Sequence, residues 1–330
     1  MSGNTYVVIG SNCFTGSHIV DLLLDDPSNQ VVGISRSPEY KNIFLPYKRR
    51  TKPSFRFYQL SLVAQFEKIA QLLDELKPQV VINVAALSEV ALSNERPIEY
   101  FEVNTLGVVK LSNYLRTRTY LEKYVHFSSA EILGSCLQPA TEETPFHPST
   151  PYAVSKAAAD LYLNTLINNF QFPSILIRST NVYGKHQQLF KIIPRTIIYL
   201  KLGRTIELHG GGTAVKSFIH IRDVARGVKS AIERGMAGTY HFSVPSEKTI
   251  VEIVRRICEL MGYDFDESVR FVGERLGQDT RYWLDCSKSH KELGWDPQES
   301  FDQGVQEVIE WVENNWSVIQ QEPLVYLHKV

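Results

Sequence analysis

The chain is predicted to be a doubly wound α/β protein, a parallel sheet with helices on both faces, followed by a smaller C-terminal α/β region. Three observations predict this. Short apolar runs alternate with helical stretches through the first half of the chain. Those runs are apolar throughout, the mark of strands covered on both faces. The first run ends in a glycine-bounded turn that opens a helix, as the first unit of such a sheet requires.

Taken in order, residues 6–9, 31–35, 80–85, 124–128 and 174–178 read as strands. Residues 16–24, 63–75, 98–118 and 152–168 read as helices. After Gly184 the alternation breaks. A turn at 209–212, a strand at 218–221, helices at 223–233 and 250–261 and a final helix at 301–314 suggest a smaller unit closing over the first. The expected division is a dinucleotide-binding domain over residues 1–184 and a mainly substrate-binding region over 185–330, with segments near 215–245 returning to the first.

At 330 residues with 43% hydrophobic content the chain can bury a large core. Its formal charge of -1 advertises neither a nucleic acid nor a membrane surface as partner. The four cysteines show no paired ligand spacing, so a reducing compartment fits best and no metal site is expected. With no signal segment and no long uncharged run, a cytoplasmic location is the expectation.

The turn after the first strand reads Gly10-Ser11-Asn12-Cys13-Phe14-Thr15-Gly16. A tight turn running into a helix presents backbone N–H groups and the positive end of a helix dipole to a pyrophosphate. Asn12, Cys13, Phe14 and Thr15 lie in that turn. Cys13 stands where a third glycine would sit, so the spacing alone also suits an ordinary strand-to-helix turn. The second strand ends at Ser35-Arg36-Ser37, where a carboxylate would meet the ribose hydroxyls of NAD. Arg36 suits a 2′-phosphate instead, which favours NADP over NAD.

Pro151 suits a helix start, and Tyr152 and Lys156, four residues apart, share one face of that helix. A cation beside a phenol stabilises the phenolate, so Lys156 is expected to lower the Tyr152 pKa and make it a base near neutral pH. Taken alone, the spacing is also that of a surface pair. The preceding strand, however, ends in Ser128-Ser129-Ala130-Glu131, which brings a hydroxyl and a carboxylate to the same edge of the sheet. Ser129 is positioned to bond the substrate oxygen that Tyr152 deprotonates.

With these residues in this order, the chain resembles an extended short-chain dehydrogenase/reductase of the NAD-dependent epimerase/dehydratase group. Val84-Ala85-Ala86 is similar to the group's turn beneath the cofactor, and Asn104-Thr105-Leu106-Gly107 to its long-helix signature. Arg178-Ser179-Thr180-Asn181-Val182-Tyr183-Gly184 resembles its sugar-nucleotide segment. The runs from Phe218 to Ala225 and from Lys288 to Pro297 match its C-terminal signatures. The resemblance implies a Rossmann-type sheet, a nucleoside-diphosphate sugar as substrate, and a homodimer built on helices 98–118 and 152–168. It places Ala85 under the cofactor and Asn181 at the substrate. Lys191, Arg195, Lys216 and Arg281 are candidates to meet the diphosphate, since their charge complements it.

Members of this group begin by oxidising the sugar, usually at C4. Glu131 distinguishes the fate of the resulting ketone. The resemblance implies a 4,6-dehydratase in which Tyr152 takes the C4 hydroxyl proton, Glu131 removes the C5 proton, water leaves from C6, and hydride returns there. Ala130 stands where dehydratases carry an acid or a serine, so protonated Glu131 or a water held by Ser129 is expected to protonate the leaving hydroxyl. A 4-epimerase and a UDP-glucuronate-type decarboxylase are the alternatives. A dinucleotide-binding regulator without activity fits less well, because Ser129, Tyr152 and Lys156 are all present.

Overall fold

Runs of valine, isoleucine and tyrosine favour strands because branched and aromatic side chains pack well on a pleated surface. In the computed structural model, which describes residues 3–50, 54–273 and 281–326, they become β1 (Thr5–Ile9), β2 (Gln30–Ser35), β3 (Phe55–Gln59), β4 (Val80–Asn83), β5 (Lys123–Phe127) and β6 (Ser174–Ser179). Between them lie α1 (Phe14–Leu23), α2 (Phe66–Leu76), α3 (Val90–Glu95), α4 (Pro97–Phe101), α5 (Gly107–Leu115) and α6 (Pro151–Phe170). The rest of the chain gives β7 (Asn181–Tyr183), α7 (Ile192–Lys201), β8 (Ile206–His209), β9 (Val215–Lys216), β10 (Phe218–His220), α8 (Ile221–Arg234) and β11 (Gly238–Phe242). It closes with β12 (Lys248–Thr249), α9 (Ile250–Met261), α10 (Phe265–Ser268), β13 (Val269–Val272), α11 (Ser287–Leu293), α12 (Phe301–Asn314) and α13 (Trp316–Ile319).

Seven strands form one sheet in the order β11-β6-β5-β4-β1-β2-β3, with parallel pairing throughout. Alternate side chains of β1 serve opposite faces, since successive residues of a strand point to opposite sides. Val7 and Ile9 pack with α2, α5 and α6 through Leu73, Leu111 and Leu163. Tyr6 and Val8 pack with α1 and α8 through Ile19, Val20, Val224 and Val228. A third cluster joins α7, α9 and α12 through Ile197, Ile257 and Val308 and gives the C-terminal elements a core of their own. β3 carries no unbroken apolar run, because at the sheet edge only part of it is covered.

The chain order reverses between β1 and β4, and the crevice at this switch point is where doubly wound sheets bind ligands. The expected single helix over 98–118 is instead α4 and α5 joined by a π-helical turn at Glu102–Leu106. That turn has a use. It directs the Asn104 amide to the Leu87 backbone and, at 3.0 Å, to Ser155 of α6, while the Thr105 hydroxyl donates to the Ser155 carbonyl oxygen. The π-turn thus braces the helix that carries Tyr152 and Lys156.

Candidate active site

The turn after β1 is shaped by contacts that leave no room for side chains. Gly10 has φ 92°, and a Cβ there would lie 2.6 Å from the Ala85 nitrogen. A Cβ on Gly16 would lie 2.3 Å from the Gly10 carbonyl oxygen. These approaches leave a bare backbone cradle at the start of α1, suited to a pyrophosphate. Cys13, at the position of the missing glycine, caps α1 by accepting a bond from the Gly16 N–H at 3.2 Å. Burial pushes its thiol up to about 11, so it stays protonated. Asn12 donates to the Ser37 and Pro38 carbonyl oxygens and ties the turn to the end of β2. Arg36, just beyond that strand, is exposed.

A cavity of about 260 Å³ opens beyond this turn, at the C-terminal ends of the strands. Cys13, Phe14 and Thr15 line it from one side; Ser129, Glu131, Tyr152 and Lys156 line it from another; Asn181 and Lys191 also face it. Thr150 caps α6 by accepting from the Ala153 N–H, and Pro151 occupies the first turn, so Tyr152 emerges at the start of the helix. Ser129 accepts from the Glu131 N–H at 3.2 Å, which folds the chain after β5 into a turn carrying both residues.

One expectation is corrected by this geometry. Tyr152 is not acidified by Lys156 in the free protein. Burial holds the phenol well above its ordinary value, the Glu131 carboxylate adds to the effect, and a hydrogen bond from Ser129 only partly opposes it. Lys156 is anchored on the end of β5. Its ammonium donates to the Phe127 carbonyl oxygen and lies 3.3 Å from His126 Nε2. Burial brings Lys156 down to about 8, with the Asp160 carboxylate opposing the fall.

Asp160 follows Lys156 by one helical turn. Its carboxylate accepts from the Ser128 hydroxyl at 2.7 Å and pairs with Arg178 of β6 at 3.2 Å. Asp160 belongs to none of the motifs that mark the site, although positions 152, 156 and 160 share one helix face, and that spacing was the signal that could have found it. Thr180, within the sugar-nucleotide segment, also lines the cavity, as do Tyr282, Gln187 and Gln188, which had no motif to mark them.

The remaining basic candidates have defined partners. Lys191 lies 3.4 Å from the Glu89 carboxylate. The Lys216 ammonium sits 3.8 Å from the Tyr282 ring centroid. Arg281 pairs with Glu247 and stacks over Trp283, and it is not among the residues that line the cavity. His209 bonds the Gly273 carbonyl oxygen, and His220 caps α8 through the Arg222 N–H. Among the described residues there is no cluster fit to hold a metal ion, and no helix is long and apolar enough to cross a membrane.

A glycine-bounded dinucleotide turn together with Ser129, Tyr152 and Lys156 on one cavity defines an extended short-chain dehydrogenase/reductase. Residues 7–308 match the family described as GDP-mannose 4,6 dehydratase, and the chain belongs to this family of nucleotide-sugar 4,6-dehydratases. It is similar to the dTDP-glucose 4,6-dehydratase of Haemophilus influenzae, with 29% identity over 92% of this chain and 96% of that one. The human dTDP-D-glucose 4,6-dehydratase is also 29% identical, over 94% of this chain and 90% of its own. Among solved structures, the dTDP-glucose 4,6-dehydratase of Streptomyces venezuelae with NAD bound superposes with a TM-score of 0.88 at 30% identity, covering 95% of this chain and 98% of that one. A UDP-glucose 4-epimerase from Thermotoga maritima superposes at 0.86 with 22% identity, which shows the shared fold.

Proposed function

We propose that this 4,6-dehydratase acts on a dTDP-hexose, with NAD as its cofactor. The observation that carries the reaction is Glu131, a carboxylate on the same cavity as Ser129 and Tyr152 and close enough to bear on the phenol's ionisation. An epimerase needs no base at C5. The nucleotide follows from the dTDP-glucose dehydratases the chain resembles, and NAD from solved dTDP-glucose 4,6-dehydratase structures that contain it. The NADP expectation rests on Arg36 alone, and NAD replaces it.

NAD, when bound, supplies a hydride acceptor and a positively charged ring. The residues of this chain do the rest. Gly10, Asn12, Cys13, Phe14, Thr15, Gly16 and Ala85 form the cofactor cradle. Ser129 and Tyr152 hold the C4 hydroxyl, and Tyr152 takes its proton, with the Ser129 hydroxyl favouring the phenolate and Lys156 bracing the end of β5 through the Phe127 carbonyl oxygen. The C4 ketone then acidifies C5–H, which Glu131 removes. Asn181 and Lys191 line the path toward the diphosphate, and Lys216 and Arg281 flank it.

The division of labour we propose places the cofactor on residues 1–184 and the nucleotide mainly on 185–330. A homodimer is supported by an exposed apolar face on the π-turn and α6, with Leu106, Leu161 and Phe170 each more than half exposed. Four free cysteines suit a reducing cytoplasm. The test is incubation with dTDP-, GDP-, UDP- and CDP-hexoses and NAD, followed by mass spectrometry. Loss of one water from the dTDP-sugar supports the reading. An unchanged mass with inverted C4 would make the chain an epimerase, and loss of carbon dioxide a decarboxylase.

A further inference from the structure

The dehydration needs one proton for its leaving group, and the cavity offers a donor other than Glu131 or a water on Ser129. The hydroxyl departing from C6 must be protonated, and Ala130, the residue between Ser129 and Glu131, has no proton to give. Tyr282 occupies the space beside it. Its side chain is only 7% exposed and packs in one apolar cluster with Ala130, Ile132 and Ala157, yet it also lines the cavity that holds Ser129, Glu131 and Tyr152.

Backbone pairing fixes that position. The segment holding Tyr282 runs beside the chain that follows Glu131: the Cys136 N–H donates to the Arg281 carbonyl oxygen at 3.0 Å, and the Ala140 N–H to that of Trp283 at 2.8 Å. On its other side Arg281 bridges to Val215. The next residue, Lys216, holds its ammonium 3.8 Å from the Tyr282 ring centroid. A cation in that place stabilises the charge left on a phenol that has given up its proton.

We propose that Tyr282 is the general acid of the elimination, taking the role that Ala130 cannot fill. This rests on the dehydratase reading above. The C5–H bond breaks, its proton goes to Glu131, and its electron pair forms the C5–C6 double bond. The C6–O bond breaks, and the leaving oxygen takes the Tyr282 proton and departs as water. The protonated Glu131 exchanges with solvent, and when hydride returns to C6 this residue gives a solvent-derived proton to C5. The proton that Tyr152 took from the C4 hydroxyl balances the one Tyr282 gave, and exchange with solvent resets both phenols.

The test compares wild type, Tyr282→Phe and the double variant Ala130→Asp/Tyr282→Phe on a dTDP-hexose and on its 6-deoxy-6-fluoro analogue. Fluoride leaves without a general acid. Tyr282→Phe removes one oxygen atom, and its kcat on the 6-hydroxy sugar is expected to fall about 10²–10³-fold, the range of a lost general acid. Its kcat on the 6-fluoro sugar should stay within about 3-fold of wild type, and the carboxyl at 130 should recover part of the lost rate. Equal losses on both sugars would show that Tyr282 only shapes the cavity, and an unchanged rate on the hydroxy sugar would show that it does nothing; either overturns the proposal. A wild-type enzyme that eliminates from the fluoro sugar but not the hydroxy sugar overturns it too. One that dehydrates no nucleotide sugar overturns the dehydratase reading itself, and the role of Tyr282 with it.

Discussion

The Asp160 carboxylate meets the Arg178 guanidinium at 3.2 Å with both side chains buried, joining α6 to β6 behind the active site. The same carboxylate bonds Ser128, the neighbour of Ser129. Breaking a buried pair strands a charge in a low-dielectric interior. Arg178→Met is therefore expected to cost about 3–5 kcal/mol in urea unfolding. A loss below about 1 kcal/mol would mean that water reaches the pair.

Lys156 gives a pH dependence of stability with a definite sign. Its pKa falls from 10.5 to about 8 on folding. Between those values the unfolded lysine keeps its proton and the folded one has lost it, so the unfolded state binds more protons and stability rises with pH. Below about 8 both forms are charged, and the cost of burying the ammonium is felt in full. Relative to Lys156→Met, the wild type should gain stability from about pH 8 to about pH 10. Parallel curves for the two proteins in denaturant titrations would contradict the burial of a charged Lys156.

Cys13 stands in for a glycine and serves as a cap. Cys13→Ala removes the bond to the Gly16 N–H and should lower stability by about 0.5–1 kcal/mol, whereas Cys13→Gly should cost only a few tenths. Because burial keeps the thiol protonated, alkylation at about pH 8 should be much slower than for an exposed cysteine. Thermal melts and thiol titration check the two effects separately.

Much of this was legible in the sequence, for reasons tied to particular residues. The inner strands of the parallel sheet are buried on both faces and so read as largely apolar runs; β3 and β11, at the two edges, do not. Ser129, Glu131, Tyr152 and Lys156 lie at element ends, where short local spacings report their position. The features that stayed hidden depend on distant chain. The direction of the Lys156 ammonium is set by the Phe127 carbonyl and His126, and no spacing within α6 reveals that. Tyr282 reaches the cavity only because its segment pairs with residues 136–140.

Glu131 separates the steps of the reaction. Glu131→Gln keeps the size and hydrogen bonding of the side chain but cannot accept a proton. Dehydration should fall by at least about 10²-fold, the scale of a lost general base, while binding of the nucleotide sugar by calorimetry stays near wild type. Dehydration at the normal rate would assign the C5 proton to another group.

The most direct measurement is to run the wild-type reaction on a dTDP-hexose in deuterium oxide and locate the label in the product. Proton removal and return by Glu131 predicts a product one water lighter, with a 4-keto group, a deuterium at C5, and the hydrogen originally on C4 now at C6. A product that retains its C6 hydroxyl, or one that carries no deuterium at C5, would contradict the account.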